Sequence, residues 1–197
     1  MLSLWSICAA LLPTTAAALL PTISAGQPSA ATTAVWFGEG CFWERQWAYV
    51  NLELDKSGPF ARANASVSSR VGYAGSLKTA GSGTVCYLDY EELGHSEVVI
   101  VDLDADSRAA GQFAALAADF FGSFTFLPGA GFVRPDPNDL GAAYRVTVGI
   151  PGGVGGALYP LLAAANEALR TKHNMTSGAG EMRSSRLPLC PQSWHRR

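Results

Sequence analysis

Three stretches of this chain carry side chains that can move electrons or protons. The first is Gly40-Cys41-Phe42-Trp43-Glu44, directly after the apolar run Ala34-Val35-Trp36-Phe37. That context places Cys41 at a strand-to-helix turn, where the helix dipole and free backbone N–H groups favour a thiolate, the nucleophilic form of cysteine. The aromatic pair Phe42-Trp43 supplies an apolar wall, suited to a small apolar group next to a polar reactive centre. A buried cysteine in an aromatic core fits the pentapeptide equally well. The second stretch, Gly94-His95-Ser96-Glu97, puts a carboxyl group at the start of the apolar run Val98-Val99-Ile100-Val101. Lost hydration there would raise the Glu97 pKa and keep it protonated as a proton donor; a solvated strand-end glutamate is the alternative. The third stretch, Asn138 to Arg145, sets Asp139 in a turn and Tyr144 at the opening of a strand, residues that turn chemistry and core packing would also explain.

Other chemistries find less support. Cys41, Cys86 and His95 lack the C-x₂-C or H-x₃-H spacing of zinc sites, so no metal is expected. Gly152-Gly153-Val154-Gly155-Gly156 has no lysine of the phosphate-binding type and reads as a turn. A net charge of −2 with 15% charged residues argues against a nucleic-acid partner.

The elements that must position these residues follow from periodicity. A first strand is expected over Val35–Phe37, followed by a helix whose buried face carries Trp43, Trp47, Val50 and Leu54, at spacings of four, three and four. Gly58-Pro59 ends that helix, and Arg70 to Gly75 reads as a short strand running into a glycine turn, with a loop over 77–85. Glu97–Asp102 has the continuous apolar character of a central strand. An Ala-rich helix capped by Ser107 runs to about Phe121, and 129–137 reads as a loop. Tyr144, Val146, Val148 and Ile150 alternate with Arg145, Thr147 and Gly149, predicting a half-buried strand. Leu158–Lys172 is the last helix. Strands alternating with helices in 197 residues predict one two-layer α/β domain.

The first charged residue is Glu39, and Leu2–Leu20 is rich in Leu and Ala but broken by Pro13. With small residues at Ile23-Ser24-Ala25 and Pro28-Ser29-Ala30, residues 1–30 read as a removable signal or targeting peptide rather than a membrane span. Secretion or entry to the endomembrane system is the expected destination, an organelle the alternative. Asn64-Ala65-Ser66 and Asn174-Met175-Thr176 fit the glycosylation acceptor pattern. With Cys8 in the leader, three cysteines remain (Cys41, Cys86 and Cys190), an odd number that points to redox or reactive thiols.

Taken in order, Gly40-Cys41-Phe42-Trp43-Glu44, Val71-Gly72-Tyr73-Ala74-Gly75, Gly94-His95-Ser96-Glu97-Val98-Val99 and Asn138-Asp139-x-Gly141-x-x-Tyr144-Arg145 resemble the methionine sulfoxide reductase A family over about residues 34–150. The resemblance implies an α/β (α+β) fold: a two-layer, ferredoxin-like sandwich of a mixed sheet with flanking helices. The catalytic domain is expected over 31–172, followed by a long irregular, flexible tail over 173–197. It implies an enzyme reducing methionine S-sulfoxide, free or within oxidised proteins, without a cofactor. Cys41 would be the nucleophile, Glu97 the acid that protonates the departing oxygen, and Tyr144 and Asp139 the groups that arrange substrate. Phe42 and Trp43 would form the methyl pocket. The family's second tyrosine matches Tyr87 best, with Tyr90 a weaker candidate. Oxygen transfer would leave a sulfenic acid on Cys41 for a second thiol to resolve, Cys190 in the Pro-rich tail being favoured over Cys86. Thioredoxin or another dithiol would then restore the enzyme, and a monomer is expected. The chain departs from the family pattern in lacking a His-Asp-Pro stretch between Gly122 and Asp136 and in carrying Ala142-Ala143 before the tyrosine. Two rival readings are a non-catalytic homologue that binds oxidised methionine or a partner protein, and a different cysteine enzyme with His95 as base.

Overall fold

The computed structural model describes residues 32–173. The leader expected over 1–30, the tail and Cys190 therefore lie outside the described residues. Six strands and three helices follow in the order β1 (Thr33–Gly38), α1 (Phe42–Leu54), β2 (Arg70–Ala74), β3 (Ser96–Leu103), α2 (Ala109–Gly122), β4 (Thr125–Leu127), β5 (Gly131–Val133), β6 (Thr147–Gly149) and α3 (Tyr159–Lys172). Short 3₁₀ turns cover Asn64–Ser66, Ala142–Tyr144 and Gly153–Gly155.

Four strands form one sheet in the order β2-β3-β1-β6, and every neighbouring pair is antiparallel. The α+β class and the ferredoxin-like β-α-β-β-α-β order are as expected; the mixed sheet is not. The reason is topological. The helical crossovers β1-α1-β2 and β3-α2-β6 each return a strand parallel to the one before, but not beside it, so each pair of like-directed strands is split by a strand of opposite direction.

One face of the sheet carries the main core. Val35, Phe37, Val99, Val101 and Leu103 point into it, together with Phe42 and Tyr49 of α1 and Leu162 and Leu169 of α3. Helix α2 contributes Phe113, Leu116, Ala117, Phe120 and Phe121, the i, i+3, i+4, i+7, i+8 stripe of a helix buried along one side. Phe37 is the hub, with ring centroids 5.3–6.0 Å from those of Tyr49, Phe113 and Phe120. The alternate residues Trp36 and Val98, with Ala74, form a smaller cluster on the opposite face. Trp36 is in register with Gly149, and its indole occupies the space a side chain at 149 would need.

Four local expectations give way. Helix α1 buries Phe42, Tyr49 and Glu53, whereas Trp43 and Trp47 are 61% and 66% exposed. The stripe is shifted by one position because Glu53 can be buried after all. It accepts bonds from the Ser68 amide at 2.6 Å and from the Ser68 and Ser69 hydroxyls at 2.8 and 3.0 Å, with Arg62 alongside at 3.2 Å. The strand expected over 144–150 shrinks to Thr147–Gly149, buried throughout, because Ala142–Tyr144 is taken up in a 3₁₀ turn. The loop expected over 129–137 contains β5, which pairs with β4 in a separate hairpin. Helix α2 starts after Arg108 rather than Ser107. No helix among the described residues is long and apolar enough to cross a membrane.

Candidate active site

Antiparallel pairing brings the chemistry to one end of the sheet. The C-terminal ends of β1 and β2 lie beside the N-terminal ends of β3 and β6: Tyr73 is in register with Glu97, Phe37 with Val99, and Gly38 with Thr147. Cys41 follows β1, Glu97 opens β3, and Tyr144 precedes β6, so residues distant in sequence meet there.

Cys41 is the N-cap of α1 and partly exposed. Its amide donates to Asp136 Oδ2 at 3.0 Å, and the next amide, of Phe42, donates to Glu97 Oε2 at 3.0 Å. Two consecutive N–H groups at a helix start are thus held by two carboxylates from other parts of the chain, which satisfies donors that a helix leaves free. The turn feeding them requires Gly40. Its φ is +115°, and a β-carbon there would stand 2.7 Å from Asp136 Cβ and 2.9 Å from its Oδ2.

Helix placement alone does not make the thiol acidic. Burial pushes the Cys41 pKa above its usual 9.0, and the charges of Glu97 and Asp139 push the same way. The Trp43 and Glu44 amides at the helix start act in the opposite sense without reversing it. The thiolate-favouring effect expected from the turn is present but outweighed, chiefly because burial strips hydration from the thiolate, with the nearby carboxylates adding to that.

Glu97 is 2% exposed. Burial raises its pKa, neighbouring Asp139 and Asp136 add to that, and the bonds from the Phe42 amide and Tyr90 hydroxyl oppose it. The Tyr90 hydroxyl donates to Glu97 Oε1 at 3.2 Å. The tyrosine bonded to Glu97 is thus Tyr90, the weaker of the two candidates, whereas Tyr87 is 59% exposed and packs on Tyr90 at 5.9 Å between centroids. Residues 86–94 form consecutive turns, so Tyr90 lies one turn beyond Cys86 with its amide on the Cys86 carbonyl, and its side chain faces inward. Tyr90 stacks on Tyr73 at 4.7 Å, Tyr73 meets Phe42 at 5.8 Å, and Phe42 meets Trp43 edge-on at 4.9 Å, giving a continuous aromatic wall. The Tyr90 and Tyr144 hydroxyls interact, and burial holds the Tyr90 phenol well above its usual range.

Asp136 is the group that sequence reasoning missed. It is 8% exposed and its Oδ1 accepts the amides of Asn138 and Asp139 at 3.0 and 3.2 Å, while Oδ2 takes that of Cys41. Although burial raises its pKa, these three amides prevail and hold it below the usual carboxylate range. The signal was Asp136-Pro137-Asn138, an aspartate followed by proline that sets up an Asx turn. Arg134 completes the arrangement by donating to the carbonyls of Asp139 and Tyr144. Asp139 itself is partly exposed, and its charge reaches both Cys41 and Glu97.

His95 does not serve Cys41. Its Nε2 lies 2.7 Å from the Lys78 carbonyl, and the ring is 6% exposed. A Cys–His nucleophile pair therefore lacks its base. Cys86 is exposed on the turn that leads to Tyr90. Among the described residues, no group of three His, Cys, Asp or Glu side chains is arranged to hold a metal ion.

A second buried polar cluster lies behind Cys41. Glu39, 1% exposed, is paired with Arg45 and accepts bonds from Ser123 Oγ at 2.5 Å and Tyr49 at 3.4 Å. Arg45 also bridges to Asp119 at 2.5 Å, tying β1, α1 and α2 together.

No family model matches the chain, and neither does any curated protein. Among solved structures, the chain is similar to methionine sulfoxide reductase A of Corynebacterium diphtheriae, with 17% identity and a TM-score of 0.49 over 77% of this chain. The match spans 63% of the length of that structure's chain.

Proposed function

We propose that this chain is a peptide-methionine (S)-S-oxide reductase. The observation that carries the reading is the junction of nucleophile and acid: Glu97, buried and with a raised pKa, accepts the amide of the residue that follows Cys41. A carboxyl group with that pKa direction supplies a proton to the sulfoxide oxygen, which a fixed carboxylate would repel. The Tyr144 hydroxyl adds a donor for the same oxygen, Tyr90 holds Glu97 in place, and Phe42 and Trp43 receive the methyl group.

The electron count closes on these groups. Cys41 sulfur attacks the sulfoxide sulfur while Glu97 protonates the oxygen, and an S–S bond forms between the two sulfurs. That bond and the S–O bond of the sulfoxide break as the hydroxyl passes to Cys41, where a new S–O bond forms. Methionine sulfur gains two electrons, Cys41 loses two, and the thiol proton replaces the one Glu97 gave up. The sulfenic acid then condenses with a second thiol, Cys190 or Cys86, releasing water, and thioredoxin or another dithiol reduces the disulfide.

The test is turnover of separate S and R epimers of methionine sulfoxide, first with a chemical dithiol and then with thioredoxin. Reduction of the S epimer alone, abolished by Cys41→Ser and slowed by Glu97→Gln, is expected. Turnover of neither epimer by folded protein refutes the proposal.

A further inference from the structure

Trp43 and Trp47 stand four residues apart on α1, one above the other on one face, and both are largely exposed. Two neighbouring exposed tryptophans are an unusual surface for a soluble domain and mark contact with another molecule. Their relation to the site is asymmetric. Trp43 is rooted in it through its edge-on contact with Phe42 at 4.9 Å. Trp47 lies one helical turn further from Cys41 and makes no ring contact with the site's aromatic wall.

The spacing says what would reach it. Four residues of helix advance about 6 Å, close to the roughly 7 Å covered by two residues of an extended chain. In an extended peptide, side chains two positions apart point the same way. A peptide whose oxidised methionine enters beside Cys41 and Trp43, and which runs along α1, therefore offers Trp47 the side chain two residues away. Glu44 is exposed on the same side of the helix and would repel an acidic group there.

We propose that Trp47 is a specificity-determining position for polypeptide substrates, receiving an apolar or aromatic side chain two residues from the oxidised methionine. The inference rests on sulfoxide reduction at Cys41. An apolar side chain covering part of an indole favours binding by about tenfold.

The experiment measures kcat/KM, with a chemical dithiol, for N-acetylmethionine S-sulfoxide and for Ser/Gly pentapeptides centred on methionine S-sulfoxide. The peptides carry Phe or Ser two positions before or after the centre. The small substrate is too short to reach Trp47 and reports on Cys41 alone. A preference for one Phe peptide of about tenfold is expected in the unaltered chain. Trp47→Ala should reduce it to within about twofold, Trp47→Phe should retain most of it, and Asp in place of Phe should bind worse than Ser. Normal turnover of the small substrate without any Phe preference, or a preference that survives Trp47→Ala, overturns the assignment. No turnover of the small substrate overturns the sulfoxide reading and this one together. Self-association that Trp47→Ala abolishes would assign the ridge to a second copy, and iodide quenching unaffected by Trp47→Ala would assign it to the chain's own ends; either result overturns the proposal.

Discussion

Tyr90→Phe tests the core of the mechanism. The substitution removes one hydroxyl and keeps the ring that stacks on Tyr73 at 4.7 Å. Glu97 then retains only the Phe42 amide of the two bonds described, at 3.0 Å, and loses the one at 3.2 Å. A hydrogen bond to a charged group contributes about 1.5–3 kcal/mol. At about 1.36 kcal/mol per unit, losing it raises the Glu97 pKa by about one to two units. The sign of the kinetic effect follows from which group titrates first. Burial raises the Cys41 thiol from a usual 9.0 and the Glu97 carboxyl from a usual 4.5, so the carboxyl is the first of the two to titrate. The reacting form pairs a thiolate with a protonated acid. Its population climbs with pH up to the lower pKa, is flat between the two, and falls above the higher one. The acidic limb of the profile therefore reports Glu97. In Tyr90→Phe that limb should move up by about one to two pH units. The alkaline limb, which belongs to Cys41, should move far less. The assay is single-turnover reduction of N-acetylmethionine S-sulfoxide by rapid quench across the pH range, without external reductant, with circular dichroism to verify folding. An acidic limb that stays in place or moves down in a folded variant refutes the assignment of Glu97 as the acid and Tyr90 as its partner.

Other outcomes follow from the same geometry. Tyr87→Phe should leave the pH profile and rate within about twofold of the unaltered chain, since that ring is 59% exposed and only flanks Tyr90; a Tyr90-like shift measured there would restore Tyr87 to the site. Gly40→Ala should cost about 1–3 kcal/mol in chemical denaturation, from the strained φ and the displaced Asp136 carboxylate, and should slow reduction through the misplaced Cys41 amide. Arg45→Met should cost about 3–5 kcal/mol near neutral pH by stranding Glu39 without its partner. Burial already raises the Glu39 pKa from 4.5 to about 7, Arg45 opposing it. The folded state thus holds an extra proton between those values, and the associated stability is present below the lower and lost as pH rises to the upper. Removing Arg45 raises the pKa further, so denaturation at pH values below about 5 should show a smaller loss than at about 8. An equal loss at both would place Glu39's charge outside the energetics.

Strands β1, β2 and β3, the three helices and the Cys41 and Glu97 stretches could be read because each has a local signature. A continuous apolar run marked β3, and a glycine turn after an apolar strand marked Cys41. What could not be read depends on distant partners. Tryptophan at helical spacing signals a buried face, and nothing near Trp43 or Trp47 reveals that Glu53, a charged residue, takes the buried position through four groups on residues 62–69. Tyr87 and Tyr90 differ only in how the 86–94 turns orient them, a property of the tertiary fold. The thiol's pKa direction differs from the local expectation for a similar reason: the helix start is local, whereas the burial that outweighs it, and the charges of Glu97 and Asp139 that add to it, come from the tertiary fold.

The paired amides at the start of α1 have a use beyond positioning. Cys41 and Phe42 donate to different carboxylates, Asp136 and Glu97. The proton chemical shift of a backbone amide responds to the ionisation of the group it donates to. The two neighbouring resonances are therefore built-in indicators, one for a carboxylate whose pKa is held low and one for the carboxyl group proposed as the acid. In a uniformly ¹⁵N-labelled sample the Phe42 signal follows Glu97 through its titration, with the Cys41 signal as internal reference. The protonation state of the acid becomes observable in the resting protein, with no substrate present.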